Sequence, residues 1–241
     1  MGNLKTIKHI LELSGKLFIL PVIFFLQSID SFSQTSYEFW PEVNGFIQLN
    51  DRFRVYLVSA YAKGKESDIE TLDLAANIDI SLKPIFGRDY RKKDWQRSRY
   101  LWVRLGYDYV SKQVSGEKST PEYRGMINIY AKAHLPVDIW VESRMRADLR
   151  WIGDEYSTRY RLRLETTREF TVLNHSVVPY LNCELFYDTR YSDWSRLLIM
   201  AGSEFTFSKN FRFELYLAPQ LDYYPSRTNL LALGAVAKIY L

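Results

Sequence analysis

The sequence predicts an all-β protein, a transmembrane up-and-down antiparallel β-barrel of about 10–12 strands built from residues 34–241, and three observations carry that prediction. First, residues 137–167 are two amphipathic sequences interleaved. Val137, Ile139, Val141, Met145, Ala147, Leu149 and Trp151 take odd positions, with Asp138, Glu142, Arg144, Arg146, Asp148 and Arg150 between them. After Gly153-Asp154, Tyr156, Tyr160, Leu162 and Leu164 stand against Arg159, Arg161, Arg163 and Glu165. A period of two belongs to a strand, and a helix would mix the two sets. Second, the alternating runs exceed the usual strand length of about five or six residues and reach the roughly nine to eleven that a tilted strand needs to cross a bilayer. Third, charged residues make up 25% and aromatics 16% of the 241 residues. A polar lumen and two aromatic girdles house both, whereas a soluble antiparallel sheet buries its apolar face and leaves its charges in water.

The chain opens on Lys5, Lys8 and Lys16, then the apolar run from Leu17 to Leu26. About ten apolar residues are too few for a membrane helix but suit a secretory leader. Residues 1–33 therefore read as a signal peptide, with Ser31-Phe32-Ser33 placing cleavage before Gln34. Export of a barrel points to the outer membrane of a Gram-negative bacterium. What remains has 29 basic and 26 acidic residues, a net of about +3. The signs alternate and do not gather into a basic patch, so a nucleic-acid partner is not expected. Cys183 is the sole cysteine, which excludes an internal disulfide and a cysteine metal site. Its parity with Leu181 and Leu185 makes it an outward hydrophobe.

Residues 37–50 alternate weakly and are interrupted at Trp40-Pro41. Residues 53–62 put Phe53, Val55, Leu57 and Tyr61 on one face, and Leu72 to Leu82 set Leu, Ala and Ile against Asp73, Asn77, Asp79 and Ser81. Residues 84–98 read as a polar connection, 100–110 as a strand, 112–121 as a loop and 123–133 as a strand. Strands at 177–187, 197–207, 211–223 and 231–241 follow the hairpin. Short turns near 51, 136, 172 and 209 fall at one end, the expected periplasmic end. Tyr61, Tyr107, Tyr109, Tyr123, Trp151, Tyr156, Tyr187 and Tyr223 then gather near the other end, and Phe53, Phe205, Phe207, Phe211 and Phe213 near the first. This scheme yields about eleven strands, against the even number of bacterial barrels. Ten follow if residues 37–50 stay out of the wall, twelve if a strand is hidden. Pro179 and Pro219 lie within outward faces and predict bulges.

Charge predicts the register of the 137–167 hairpin. A two-residue turn at Gly153-Asp154 sets Arg146 opposite Arg161, Arg144 opposite Arg163 and Glu142 opposite Glu165, and directly opposed like charges are destabilising. A four-residue loop from Gly153 to Tyr156 sets Asp148 against Arg161 and Arg144 against Glu165, leaving Arg146–Arg163 and Arg150–Arg159 as like pairs. A further shift pairs Arg146 with Glu165 and Asp148 with Arg163 at the cost of Arg150–Arg161 and Glu142–Glu169. The four-residue loop is the expected register, as the smaller displacement.

Arg144-x-Arg146 with Arg150, then Tyr160-Arg161-Leu162-Arg163-Leu164-Glu165, then Glu184-x-Phe186, resemble the spaced motifs of the domain of unknown function 2490 family. The resemblance runs from Trp40 to the terminus. It implies an outer-membrane barrel of a kind common in Bacteroidetes, and it brings no activity. The final Leu241 departs from the terminal aromatic usual in such proteins, with Tyr240 beside it.

The candidate lumen or binding residues are Glu142, Arg144, Arg146, Asp148, Arg150, Arg159, Arg161, Arg163, Glu165 and Glu184. Arginines around carboxylates argue for an ion-paired ladder filling a small lumen. Glu142 with Glu165, or Asp73 with Asp79, would be the pairs for acid–base work. His134 and His175 lie in turns, away from any outward serine, and no His/Cys/Asp cluster has metal spacing. No catalytic residue, metal or cofactor is expected. The expected partners are outer-membrane lipid and the barrel-assembly machinery. Function stays open between a narrow pore or binding barrel for a small polar or anionic solute, a structural membrane component, a hydrolase using lumenal carboxylates, and a soluble barrel with inverted faces.

Overall fold

The computed structural model describes residues 35–64, 69–82, 100–114, 117–135, 138–172, 175–224 and 227–241. The leader and the connection at 84–98 fall outside these residues. Eleven long strands form the wall: β1 (Thr35–Gln48), β2 (Phe53–Gly64), β3 (Ile69–Ser81), β4 (Leu101–Val114), β5 (Glu122–Leu135), β6 (Ile139–Ile152), β7 (Glu155–Arg168), β8 (His175–Asp188), β9 (Asp193–Thr206), β10 (Phe211–Asp222) and β11 (Thr228–Tyr240). Two short pieces, Glu117–Lys118 and Phe170–Val172, pair with β4 and β8. The first shortens the expected 112–121 loop, because β4 continues to Val114 and the chain folds back on it.

Neighbours in sequence pair antiparallel around the sheet, and β1 meets β11 to close it. Among the described residues the number is eleven, neither ten nor twelve. Thr35–Gln48, which includes most of the weakly alternating 37–50 stretch, belongs to the wall, and no twelfth wall strand lies among the described residues. An odd number of up-and-down strands leaves the first and last pointing the same way. The seam is accordingly parallel: Leu241 N–H donates to the Phe46 carbonyl (2.8 Å) and Gln48 N–H to the Leu241 carbonyl (3.2 Å).

The faces follow parity. Outward Leu57, Leu74, Leu105, Ile127, Ile129, Met145, Leu162, Leu164, Leu215 and Leu233 are exposed, while inward Arg54, Asp79, Asp108, Asp148, Arg150, Glu184 and Asp188 are buried. This inverts a water-soluble fold, in which charges face solvent. Cys183 is exposed, as its parity requires. At one end, Tyr109, Tyr123, Trp151 and Tyr156 stand opposite one another on four successive strands. Their rings lie 5.3–5.5 Å apart at Tyr109–Tyr123 and Trp151–Tyr156. At the other end Phe207 packs 6.0 Å from Phe211, and Phe205 opposes Phe213. An outward ion pair, Lys63 with Glu70 at 2.7 Å, lies beside the first ring and ends the apolar face there.

The hairpin register is the one that charge disfavoured. Ile152 opposes Glu155, Arg146 opposes Arg161, Arg144 opposes Arg163 and Glu142 opposes Glu165. Gly153 takes φ 59°, so a left-handed residue at the first turn position closes a two-residue loop, the pattern that hairpin twist favours. On the outer face this register sets Trp151 against Tyr156 and Met145 against Leu162. Carboxylates reaching in along the diagonal and from β8 separate the inward like charges, as described below. Asp138 also departs from the strand pattern: it lies before β6 with φ 58°, its side chain in water. Cysteines replacing Met145 and Leu162 in a Cys183→Ser background are expected to crosslink, while the Met145 and Leu164 pair of the four-residue-loop register does not; electrophoresis of the oxidised protein reads the difference.

Bulges are not how the prolines are accommodated. At Pro179 and Pro219 the register continues unshifted, and the described irregularity on β8 lies instead between Phe186 and Tyr187. Pairing is interrupted on the side where the donor is missing. The β8 ladder to the β7 side skips residues 178 and 179, the β10 ladder to β9 skips 218 and 219, and the β1 ladder to β2 skips Trp40 and Pro41. A missing N–H removes a rung without adding a residue, so nothing forces a bulge.

Inside, beside β8–β11, Phe186, Leu198, Tyr216, Ala218, Ala232 and Val236 make an apolar cluster. Tyr216 lies between two glycines on the neighbouring strands, opposite Gly202 and Gly234. A Cβ on Gly234 would stand 2.0 Å from the Tyr216 ring. Gly234→Ala is expected to displace that ring and cost about 1–3 kcal/mol, as overpacking does. Denaturant titration in detergent checks this, with Ala235→Ser on the outer face as the comparison.

Candidate functional site: the ion-paired lumen

Every candidate residue from the sequence lies on the inward face of β6, β7 or β8. Glu142, Arg144, Arg146, Asp148 and Arg150 are the alternate residues of β6, Arg159, Arg161, Arg163 and Glu165 those of β7, and Glu184 projects from β8. The strands bring all ten onto one side of the lumen, where they form adjoining ion-paired groups. Arg144 Nη2 donates to Glu184 Oε1 at 2.5 Å, and Arg161 Nε donates to the same oxygen at 2.7 Å. Arg146 donates to Asp148, whose other oxygen lies 3.9 Å from Arg161. Thus Asp148 bridges the opposed Arg146 and Arg161. Arg163 in turn stands 3.6 Å from Glu142 and 3.8 Å from Glu165, and bridges that like pair. Asn182 also donates to Glu165 at 3.3 Å.

The network runs past the candidates. At one end Arg150 donates to Glu122 and, at 2.7 Å, to Asp188. Arg124 joins Glu122 (2.7 Å) to Asp108 (3.1 Å). Beyond it, Asp79 accepts from Arg54 (2.6 Å) and Arg104 (2.6 Å), and the Arg104 guanidinium lies 4.0 Å over the Tyr56 ring. On the far side Lys238 is held between Glu204 (2.6 Å) and Glu214 (2.5 Å), and Tyr180 donates to Glu214. Asp79 was read only as an acid–base partner of Asp73, and the other inward charges on β2–β5 and β9–β11, with Asp188 on β8, were missed as site residues. Their parity was readable, since Asp79 alternates with Ile78 and Ile80, but a charge on one strand does not announce its partner two strands away.

Asp79 and Asp188 are 0%, Asp148 1% and Glu184 2% exposed. The side chains around them therefore shut these four carboxylates off from water-sized contact, while the neighbouring Glu142, Arg163 and Glu165 side chains keep 15–20% exposure. An isolated carboxylate could not remain charged there; two or three guanidiniums each make it possible. The carboxylates that sequence offered for acid–base work are all engaged: Glu142 and Glu165 with Arg163, Asp79 with two arginines, and Asp73 3.5 Å from Arg124. Such carboxylates act as acceptors that hold the wall together. Of the histidines, His134 lies 3.5 Å from the exposed Asp138 and 4.5 Å from the Trp140 ring, and His175 lies 6.3 Å from the Phe207 ring.

No curated protein matches this chain. Among protein families, the one described as a protein of unknown function, DUF2490, matches residues 92–230. That match is narrower than the resemblance from Trp40 onward, yet it includes β4 to β10 and with them all ten candidate residues. Covering more than half of the sequence, it establishes that the chain belongs to the DUF2490 family.

Proposed function

We propose that this protein is an outer-membrane barrel of a Gram-negative bacterium whose packed lumen binds a small polar or anionic solute near its mouth and does not conduct as an open pore. The observation that carries the reading is the inversion of faces, with leucines exposed outside and ion pairs buried within. Wall strands of 12–14 residues support it. At about 3.3 Å per residue and a tilt of about 40°, such strands rise roughly 30–35 Å, enough for a hydrocarbon core of about 30 Å. Eleven strands fall between barrels of about eight, which side chains fill, and those of sixteen to eighteen, which hold water channels. The buried carboxylates favour the filled limit. On this reading the barrel-assembly machinery inserts the chain after the 1–33 leader is removed, with the Gly153 end outward.

Cell fractionation tests the membrane part: the protein is expected in the outer membrane, extractable only with detergent and shifting on gels when heated, and recovery from the soluble periplasm would overturn it. Planar-bilayer recording tests the lumen. No stable large conductance is expected, and a steady porin-sized current would overturn the filled lumen.

A further inference from the structure

At the Gly153 end the balance of the lumenal network breaks. In mid-lumen, four arginines (144, 146, 161 and 163) meet four carboxylates (Glu142, Asp148, Glu165 and Glu184). Toward the mouth, Asp188 Oδ2 alone accepts from Arg150 at 2.7 Å, Arg159 at 3.1 Å and Arg190 at 3.0 Å. Arg150 shares Glu122 with Arg124, which also has Asp108 at 3.1 Å and Asp73 at 3.5 Å, while Lys112 adds a further cation beside Glu122. Arg196 on β9 has its own carboxylate, Asp222, at 2.5 Å, which in turn accepts from Gln220. Asp193, the remaining acid beside the 189–192 turn, accepts from the Tyr224 hydroxyl at 2.9 Å. Counted together, the five cations Arg124, Arg150, Arg159, Arg190 and Lys112 face the four carboxylates Glu122, Asp108, Asp73 and Asp188, a local surplus of one positive charge.

Exposure sorts the same groups by depth. Asp188 is 0% exposed, while the side chains of Arg159, Arg190 and Arg196 are 17%, 28% and 34% exposed. The carboxylate lies beneath and the guanidiniums face the water above it. Their position is fixed. Arg190 is tied to Asp188 by its backbone N–H (3.0 Å) and by its guanidinium, and Arg159 stands directly opposite Asp188 on β7. Guanidiniums held in place present paired N–H donors that match the oxygens of a tetrahedral oxyanion.

We propose that this mouth is an anion site, with Arg159 and Arg190 as its principal ligands and Arg150 and Arg196 flanking them, for a solute bearing a phosphate-class group. The site rests on the binding-barrel reading and names its ligand chemistry. Because these side chains point into the lumen, the anion reaches them from the water at the mouth, not from the lipid around the wall. Bound there, it completes the charge balance that Asp188 leaves unfinished.

Calorimetric titration of the full-length protein, refolded in zwitterionic detergent at low salt, with inorganic phosphate tests this. Saturable binding is expected, weakening as chloride rises. Arg190→Gln, in an exposed turn where folding tolerates change, is expected to raise the dissociation constant about tenfold, and Arg159→Gln at least as much. Arg52→Gln, exposed at the opposite rim, leaves it unchanged. The heat-dependent gel shift confirms that each variant is folded. Absence of phosphate binding, or equal binding by Arg190→Gln and wild type, overturns the site. The two readings fail separately: a protein that needs no detergent yet binds phosphate loses the membrane reading and keeps the site, whereas a detergent-requiring protein silent to phosphate loses the site alone.

Discussion

Glu184→Ala is expected to lower the stability of the detergent-folded protein by about 3–5 kcal/mol, the cost of leaving buried charges without their partner. Glu184 is 2% exposed and one of its oxygens accepts from both Arg144 and Arg161. Its removal strands two guanidiniums in a space where Arg163 already adds like charge. Deletion of one exposed ion pair costs about 0–1 kcal/mol, so the measurement separates the two situations. Urea unfolding in micelles, followed by tryptophan fluorescence, reads the difference. Replacing Arg144 and Arg161 by methionine alongside Glu184→Leu is expected to recover much of the loss, because an apolar substitute removes the desolvation penalty together with the attraction. A loss below about 1 kcal/mol for Glu184→Ala would show that the lumen is wet and the network screened.

Leu162→Arg, in the middle of β7 on the outer face, is expected to cost about 2–4 kcal/mol in a bilayer. Leu162 is 44% exposed. Were that exposure to water, the substitution would change stability by no more than about 0.5 kcal/mol, the usual range for surface positions. The cost of the substitution therefore depends on the solvent around the barrel. Refolding into short-chain phospholipid vesicles and measuring the unfolding midpoint decides it, and a neutral Leu162→Arg would sink the membrane reading. An inward comparison needs care. Asn77 is 6% exposed with its side chain packed over Gly106, so Asn77→Arg, which parity alone would make mild, is expected to clash.

Most of the wall was legible in the sequence. Leu72 to Leu82 alternates with Ala75 as the one apolar residue in the inward set, and its outward and inward faces came out as read. The candidate residues from Glu142 to Glu184 share one side of the lumen because each occupies the inward parity of its own strand. Where the alternation was weak, as around Trp40-Pro41, the strand was undervalued. There the missing rung opposite Pro41 and the large inward Trp40 disturb the pattern without breaking the strand. The prolines misled for a related reason: the sequence shows that a donor is absent, but whether the ladder bulges or merely skips a rung depends on the facing strand.

What the sequence by itself determined is which face each side chain takes, since parity is a property of a single strand and needs no knowledge of its neighbours. It also determined the fold class, because only a closed sheet can keep one face apolar and one charged on so many long strands. Only the tertiary structure decided how many strands close the wall, that the seam between β1 and β11 runs parallel, and that Arg146 stands opposite Arg161. Register is set by backbone hydrogen bonds and by Gly153 in its turn, and these are indifferent to the charges the strands carry. An arginine is long enough to find its carboxylate along the diagonal or on the second strand over, as Arg144 does with Glu184 and Arg150 with Asp188. Directly opposed charges are therefore a poor guide inside a small barrel, where the lumen brings a third strand within reach of every pair.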